Sequence, residues 1–389
     1  MNRTRTSALP IFLVFLAMGF ADAAGPFVGL AREQFRLSNF VAQLIPFVGF
    51  LMFGILSVPV GVLQDKKGKK FVLLLGLIVM LAGILIPALM GLSTFPVFLI
   101  TVLALGAGAT ILQVAGNPIM RDVSAEGKYS RNLSLAQFVK AIGSLSGPLI
   151  PVIAARAFGA GWNVIFPVYS VALLVTLLAV LPLRVKEEQP EGRRATLGSS
   201  LSLLKNGFVA TTVFALFLYV GAEVSMSSGI PLFLQERYGV DINRIGLLGT
   251  GLFFLALTIG RFSGGVILNW MQPKKFFMAT CVVSVLGIAG LFVPNQWVAV
   301  AAFAVIGLGF ANIFPLIFSI VIDTMPKHTN ALSGLMIMAI VGGAFVPPLM
   351  GLVADRSGSV QISFLVPMAA LLYITWTSLA IRGRSTVPA

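Results

Sequence analysis

Twelve long apolar runs constrain this chain more than any other feature of its sequence. Each run is about 20 residues long, which is the length that a helix needs to cross a bilayer. The runs are continuously apolar, whereas the strands of a membrane barrel alternate between apolar and polar residues. We therefore predict an all-α membrane protein with twelve spans, numbered in chain order: 8–30, 40–63, 71–92, 95–119, 133–155, 162–183, 208–234, 245–268, 276–293, 297–322, 331–354 and 360–381.

Composition excludes the soluble classes of protein. Of the 389 residues, 58% are hydrophobic and 10% are charged, whereas soluble domains carry about 25% charged residues. The single histidine, His328, and the single cysteine, Cys281, do not suffice for a histidine-based metal site, a catalytic triad or an internal disulfide. We expect no cofactor, no metal and no enzymatic activity.

The distribution of basic residues predicts the orientation in the membrane. The formal net charge is +14. If the amino terminus is placed in the cytoplasm, the cytoplasmic loops carry 19 of the 27 Lys and Arg residues and the outer loops carry six. Cytoplasmic loops of membrane proteins are enriched in Lys and Arg, so we predict that both termini are cytoplasmic. The excess of basic residues is then explained by the orientation of the chain in the membrane, and no nucleic-acid partner is needed to explain it.

The spans fall into two halves that repeat at a shift of 200 to 202 residues. We predict an N-terminal six-helix bundle over 1–183, a cytoplasmic linker over 184–206 and a C-terminal six-helix bundle over 207–389. Parallel six-helix repeats are typical of major facilitator transporters, whose substrate site lies between the halves. The matching residues are Gly19 with Gly221, Gly49 with Gly251, Gly106 with Gly307, and Arg156 with Arg356.

The loop after span 2 reads Gly-Val-Leu-Gln-Asp-Lys-Lys-Gly-Lys-Lys over residues 61–70. It resembles the signature G-x-L-x-D-[KR]-x-G-[RK]-[KR] of the major facilitator superfamily. A glycine permits close helix approach, an aspartate can accept hydrogen bonds from a neighbouring helix amino terminus, and lysines favour anionic headgroups. The predicted gating motif comprises Gly61, Asp65, Lys66, Gly68 and Lys69. The corresponding loop after span 8 has Asn269 and no aspartate, so we expect an asymmetric gate.

Four stretches resemble the family of fucose:proton symporters and bacterial glucose/galactose permeases, and the resemblance covers the whole chain. It implies a monosaccharide, either a hexose or a deoxyhexose, as the transported substrate. The stretches are Gln113-Val-Ala-Gly-Asn-Pro in span 4, Leu135-Ala-Gln in span 5, Tyr219-Val-Gly-Ala-Glu-Val-Ser in span 7, and the segment from Ser333 to Ala344 in span 11.

The chain departs from the fucose symporters at the charged positions. Gln113 stands where those proteins have a glutamate, and Lys140 stands where they have an asparagine. Asp22 lies about one turn from their span 1 aspartate. The family's proton path and fucose as the sugar therefore do not carry over intact.

Charged residues inside spans are the candidates for ion coupling, because each one costs about 2.5–3.5 kcal/mol on insertion scales. Asp22 in span 1 and Glu223 in span 7 are each followed by a Gly and Pro pair that we expect to break the helix. We predict that Asp22 pairs with Lys140 of span 5 and that Glu223 carries the coupling ion, with Ser227 as a further ligand if the ion is sodium. Proton and sodium both stay open, as does a purely structural ion pair.

Arg261 lies toward one end of span 8. We expect it to extend to the membrane surface or to hold a loop in place.

Polar uncharged side chains in the spans predict a sugar-binding cavity. Amides donate and accept hydrogen bonds, as sugar hydroxyls do, and an aromatic ring offers a face to the sugar carbons. Hydrogen bonds between helices are the alternative interpretation of each amide. The predicted substrate-binding residues are Gln43, Gln113, Asn117, Gln137, Lys140, Tyr219 and Asn312.

The predicted function is import of a monosaccharide across the cytoplasmic membrane by alternating access, coupled to protons or sodium. We expect a monomer in the lipid bilayer. A drug:proton antiporter of the same superfamily is the alternative: it would use Asp22 and Glu223 but would leave the amides without a role.

Overall fold

The structure is a computed structural model, and it describes residues 8–23, 27, 31, 34–37, 41, 44–183, 185, 197–239 and 242–382. In these residues every regular element is a helix. The helices coincide with the twelve predicted spans, and we number them α1 to α12 accordingly. A further short helix, Leu197–Ser202, lies in the predicted linker.

The first six helices show one broken span. The α1 helix ends at Gly19 and continues as a 3-10 turn, and a 3-10 turn at Trp162–Val164 precedes α6. The bounds are Ala8–Gly19 with Phe20–Ala23 for α1, Leu44–Lys67 for α2, Lys69–Met90 for α3, Phe95–Asp122 for α4, Tyr129–Phe158 for α5 and Ile165–Val180 for α6.

The second six helices include two broken spans and one short interruption. The α10 helix breaks at Ala311 and Asn312, α11 contains the 3-10 turn Ala339–Val341, and α12 is interrupted at Phe364. The bounds are Gly207–Tyr238 for α7, Ile242–Ile267 for α8, Pro273–Gly290 for α9, Gln296–Phe310 and Ile313–Thr324 for α10, Thr329–Met338 and Gly342–Ser357 for α11, and Val360–Ser363 and Leu365–Arg382 for α12.

Ten helices of the described residues are long and apolar enough to cross a membrane, and Leu9–Asp22 is a shorter apolar helix. The α5 helix has 30 residues and occupies the place of the fifth predicted span. The break predicted in span 7 is wrong, because α7 is a continuous helix of 32 residues through Gly229. A proline that neighbouring helices support need not interrupt a membrane helix.

Tight turns connect several of the spans. Gly68 separates α2 from α3 with a φ of 88°, and Gly91 ends α3 with a φ of 71°. Glycine adopts positive φ without the steric penalty that a Cβ brings. Consecutive spans therefore reverse direction within one to a few residues at these positions.

The chain divides into two compact units. The first unit comprises Met1–Ala125, Val139–Ser202 and Lys327–Met338, and the second comprises Glu126–Phe138, Leu203–Pro326 and Ala339–Ala389. Each unit thus includes one short segment from the other half of the sequence: the beginning of α11 packs in the first unit and the beginning of α5 in the second. The division of the chain at 184–206 into two bundles and a linker stays a prediction.

Candidate functional site

The backbones of α1 and α5 touch within the first unit. A Cβ on Gly19 would lie 2.2 Å from the carbonyl oxygen of Lys140, and one on Gly143 would lie 2.2 Å from the carbonyl oxygen of Leu16. Small residues allow such close approach between membrane helices. The contact brings the 3-10 turn after α1 next to the middle of α5.

Asp22 and Lys140 form an ion pair beside this contact. Lys140 Nζ lies 3.1 Å from Asp22 Oδ2, and Ser144 Oγ donates to the same oxygen at 2.8 Å. The Lys140 side chain is 12% exposed and the Asp22 side chain 32%. The structure therefore brings these two predicted site residues together, and it adds Ser144, one turn further along α5.

A matching contact joins α7 and α11 in the second unit. A Cβ on Gly342 would lie 2.0 Å from the carbonyl oxygen of Phe217, and one on Gly221 would lie 2.2 Å from Val346 Cγ2. Gly221 is the repeat partner of Gly19. Glu223 follows this contact on α7, much as Asp22 follows Gly19 on α1.

Glu223 pairs with Arg261 of α8. Arg261 Nη2 lies 3.5 Å from Glu223 Oε1, and Arg261 Nε donates to the carbonyl oxygen of Ala311 at 3.4 Å. Arg261 is only 7% exposed, so the expectation that it reaches the membrane surface is wrong. The break in α10 leaves the Ala311 carbonyl available, and the pairing with Glu223 compensates the buried charge.

Sequence reasoning missed Arg261 as a site residue. The signal that could have found it is its setting, Gly260-Arg261-Phe-Ser-Gly264-Gly265. Small residues on both sides of a cation allow a neighbouring helix to approach closely, so the cation can be buried against that helix. A residue that extends to the membrane surface does not need such neighbours.

Tyr219 and Ser227 make local hydrogen bonds on α7. Tyr219 is fully buried, and its hydroxyl donates to the carbonyl oxygen of Phe310 at 3.0 Å. The Ser227 hydroxyl donates to the carbonyl oxygen of Val224 at 2.9 Å. Tyr219 also interacts electrostatically with Glu223 and Arg261. Its role in binding sugar and the role of Ser227 in binding an ion stay predictions.

Two amides of the second unit keep a hydrogen-bonding atom available. Gln137 of α5 and Asn312 of α10 are buried at 2% and 1% exposure. Asn312 Nδ2 donates to the carbonyl oxygen of Gly260 at 2.7 Å, but its Oδ1 and the Nε2 of Gln137 have no hydrogen-bond partner. Buried polar atoms are nearly always paired, so these two atoms suit a ligand or water.

Two buried serines of the same unit share this property and were not predicted. The hydroxyls of Ser134, three residues before Gln137, and of Ser225, two residues after Glu223, are buried and have no hydrogen-bond partner. The spacing of Ser134 and Gln137 puts both on one face of α5. This spacing is the sequence signal that could have identified Ser134.

In the first unit the predicted amides lie on α4. Gln113 is 2% exposed and Asn117 is fully buried, and their spacing of four residues puts them on one face of the helix. Gln43 lies outside the described residues. The role of all three in binding sugar stays a prediction.

The gating motif contacts the beginning of α11 in the first unit. Asn330, the second residue of α11, donates through Nδ2 to Asp65 Oδ1 and accepts from Gln64 Nε2 at 2.7 Å. A Cβ on Gly61 would lie 3.0 Å from the Asn330 carbonyl oxygen. Asp65 thus accepts its hydrogen bond from a side chain at a helix amino terminus.

Two lysines of the gating motif differ in their exposure to solvent. Lys66 is exposed. Lys69 is only 4% exposed and forms an ion pair with Asp122 at the end of α4. The expectation that Lys69 lies at lipid headgroups is therefore wrong, because α3 begins directly after the turn at Gly68 and carries Lys69 inward toward α4.

The counterpart contact in the second unit joins the turn after α8 and the beginning of α5. Arg131 Nη1 donates to Asn269 Oδ1 at 3.2 Å, and this hydrogen bond is exposed. Nearby, Ser130 and Ser319 hydroxyls share a hydrogen bond of 2.7 Å. The first unit thus uses a carboxylate with an amide, whereas the second uses an amide with a guanidinium.

Comparisons with known proteins identify the family. The model of the Major Facilitator Superfamily matches residues 11–346. The glucose/galactose transporter of Brucella abortus biovar 1 (strain 9-941) is 28% identical over 94% of this chain and 92% of that protein. The L-fucose-proton symporter of Escherichia coli (strain K12) is 25% identical over 86% of this chain and 84% of that protein.

The fold agrees with these relatives. A solved structure of the E. coli fucose:proton symporter FucP superposes with a TM-score of 0.83 at 21% identity, covering 97% of this chain and 98% of that chain. The predicted all-α fold of twelve helices in two six-helix bundles is confirmed. The chain is a multi-pass membrane protein that belongs to the Major Facilitator Superfamily.

Proposed function

We propose that this protein is a secondary active transporter that imports a monosaccharide, a hexose or deoxyhexose, by alternating access. Similarity along nearly the whole chain to a glucose/galactose transporter and to an L-fucose-proton symporter supports this proposal. Both relatives are named as transporters and neither as an enzyme.

The buried amides support a sugar as the substrate. The single observation that carries the proposal is Gln137, whose amide nitrogen is buried without a hydrogen-bond partner. A sugar hydroxyl can accept from this nitrogen, and another can donate to the unpartnered Oδ1 of Asn312. We propose Gln113, Asn117 and Lys140 as the corresponding groups of the first unit. The position of the sugar between the two halves stays a prediction.

We propose a proton as the coupling ion and Glu223 as its carrier. A proton on Glu223 would remove the charge that Arg261 faces at 3.5 Å. Arg261 would then keep its hydrogen bond to the Ala311 carbonyl at the break in α10. Protonation would therefore change the contact between α7 and α8 while leaving the contact between α8 and α10 in place.

Sodium is the weaker candidate. The sodium site considered from the sequence needed backbone carbonyls freed near Gly229 and the hydroxyl of Ser227. The α7 helix is continuous through Gly229 and Pro231. Pro231 has no N–H to donate to the Ser227 carbonyl four residues earlier, but the Thr250 hydroxyl donates to that carbonyl at 3.1 Å. The Ser227 hydroxyl donates a hydrogen bond to the carbonyl oxygen of Val224 and is therefore already engaged.

We further propose that the protein is a monomer in the lipid bilayer of the cytoplasmic, or inner, membrane, with both termini in the cytoplasm. The excess of Lys and Arg in the loops on one side supports this orientation.

Uptake of radiolabelled hexoses into whole cells tests the function, with Glu223→Gln as the informative variant. We expect the wild type to accumulate at least one hexose or deoxyhexose against its gradient. The Glu223→Gln variant should lose this accumulation but still exchange sugar down a gradient, because the neutral amide cannot release a proton. Concentrative uptake by Glu223→Gln would contradict the coupling assignment. Efflux of a cationic dye without hexose uptake would favour the drug:proton antiporter.

A further inference from the structure

The surroundings of Asp22 contain the groups that proteins use to hold a small cation. The Asp22 carboxylate, the Ser144 hydroxyl and the Lys140 carbonyl oxygen lie together: Ser144 Oγ is 2.8 Å from Asp22 Oδ2 and 3.2 Å from the Lys140 oxygen. Hard cations prefer ligand sets made of such oxygen atoms. The set lies where α1 has ended at Gly19 and the chain continues as a 3-10 turn.

A cation already occupies this place, and it belongs to the chain itself. The Lys140 ammonium is 3.1 Å from Asp22 Oδ2. Lys140 and Ser144 are one helical turn apart on α5, so both reach the same carboxylate oxygen. The contact between Gly19 and the Lys140 backbone holds α1 and α5 at this separation.

We propose that the Lys140 ammonium is a tethered counter-ion: it occupies at Asp22 the position that a mobile cation would otherwise take, so the first unit adds no coupling ion to the transport cycle. The part of this statement that concerns transport rests on the proposed function. The occupancy of the site can be measured without any substrate.

The other charged or titratable groups near Asp22 do not replace Lys140. On α4, which also packs against this stretch of α1, the charged residues are Arg121 and Asp122 at the helix end. On α6 the titratable group is Tyr169, whose neutral hydroxyl is hydrogen bonded to Ser146 at 2.9 Å. Within the part of the chain that the structure describes, Lys140 is therefore the cation that neutralises Asp22.

Cation binding to the purified full-length protein in detergent is the first test. In Lys140→Met the carboxylate loses its counter-ion and should take up a mobile cation. We expect Lys140→Met to bind one sodium ion more than Asp22→Asn/Lys140→Met, or to take up one proton more in an acid–base titration across neutral pH. The two arms distinguish sodium from the proton. Wild type and Asp22→Asn should bind equal amounts of sodium.

Two further variants keep the test falsifiable if Lys140→Met folds poorly. Lys140→Gln also removes the charge and should bind the extra cation. Lys140→Arg keeps the charge and should not. Lys275→Met, which removes an exposed lysine, serves as the matched control and should bind as the wild type does.

The charge moved per sugar in proteoliposomes is the second readout. The voltage that stops sugar flux at a known sugar gradient gives this ratio. We expect the ratio for Lys140→Met to exceed the wild-type ratio by one elementary charge, and the ratio for Asp22→Asn/Lys140→Met to return to the wild-type value. A structural role for Lys140 would lower the transport rate and leave the ratio unchanged.

Several outcomes would overturn the proposal: equal cation binding by Lys140→Met and the double variant, an extra cation in Lys140→Arg, or more sodium bound by the wild type than by Asp22→Asn. The proposed function fails in a different way. If wild-type proteoliposomes take up no sugar while the binding difference persists, the counter-ion is right and the transport function is wrong.

Discussion

Asp22–Lys140 in the first unit and Glu223–Arg261 in the second are two ion pairs built on the same helix contact. In each unit a pair of glycines lets two helices touch, and an acid follows on the first of them. The cation then comes from different helices: Lys140 lies on the touching helix α5, whereas Arg261 lies on α8, away from the α7–α11 contact. The repeat thus places the acids, and each unit supplies its own cation.

The two cations also differ in chemistry and surroundings. Lysine carries a compact ammonium on a flexible chain, whereas arginine carries a planar guanidinium with several donors. Arg261 uses a second donor for the Ala311 carbonyl. Asp22 is 32% exposed and Glu223 is 19% exposed, so water can solvate the first acid more readily. The pair in the first unit is thus the more solvated of the two, and the pair in the second unit has a cation that a backbone carbonyl also holds in place.

Removal of one cation from each pair should give the largest effect and compares the pairs directly. Breaking a buried pair by removing one partner costs about 3–5 kcal/mol, and we expect Arg261→Met to lower the free energy of unfolding by about this amount. Lys140→Met should lower it less, because Asp22 is more exposed. Denaturant unfolding in detergent micelles measures both.

The double variant Glu223→Gln/Arg261→Met is the control for that experiment. It removes both charges, so it should recover most of the stability that Arg261→Met loses. If Lys140→Met lowered the free energy of unfolding as much as Arg261→Met, the difference in burial between the two pairs would not affect stability.

The helix contacts should differ when a methyl group is added. A Cβ at Gly19 meets the backbone at Lys140 and Ser144, whereas a Cβ at Gly221 first meets the side chain of Val346, which can move. Overpacking costs about 1–3 kcal/mol, so we expect Gly19→Ala to lose that much and Gly221→Ala to lose less, by the same unfolding measurement.

Gly251→Ala provides the reference for the glycine series. No atom lies within 4 Å of a Cβ at Gly251, and alanine is a better helix former than glycine. Unfolding of this variant should be unchanged or slightly harder. Equal losses for Gly19→Ala and Gly221→Ala would show that the two contacts tolerate a methyl group equally.

The smallest effect concerns the contact between the turn after α8 and the beginning of α5. Asn269→Asp would face Arg131 across an exposed hydrogen bond of 3.2 Å. Exposed ion pairs contribute at most about 1 kcal/mol, and salt screens them. We expect a gain below that value at low salt that disappears at high salt. A gain that persisted at high salt would contradict the exposure of this contact.

Hydropathy and spacing were enough to predict the elements. Where the structure describes them, the twelve predicted spans are helical, because a stretch of about 20 apolar residues crosses a bilayer as a helix. The pairing of Asp22 with Lys140 was expected from the rarity of charges inside spans, and the structure places the two groups in contact. Asp65 was expected to meet a helix amino terminus, and it meets Asn330 there.

Partners between distant helices could not be predicted in the same way. Arg261 was expected at the membrane surface and Lys69 at the headgroups, but both are buried against acids on other helices. Hydropathy records how apolar a stretch is and does not record which helix packs beside it. The break expected after Glu223 also failed, because α7 stays helical through Gly229 and Pro231.

The sequence by itself determined that this chain spans a membrane, where its helices lie and which acids lie inside spans, since these properties follow from the free energy of placing each residue in lipid. Only the tertiary structure decided that Arg261 neutralises Glu223 and which polar atoms of Gln137, Asn312, Ser134 and Ser225 stay without a partner. Those properties depend on where helices cross, and crossings are set by contacts between residues such as Gly19 and Gly143 that lie far apart along the chain.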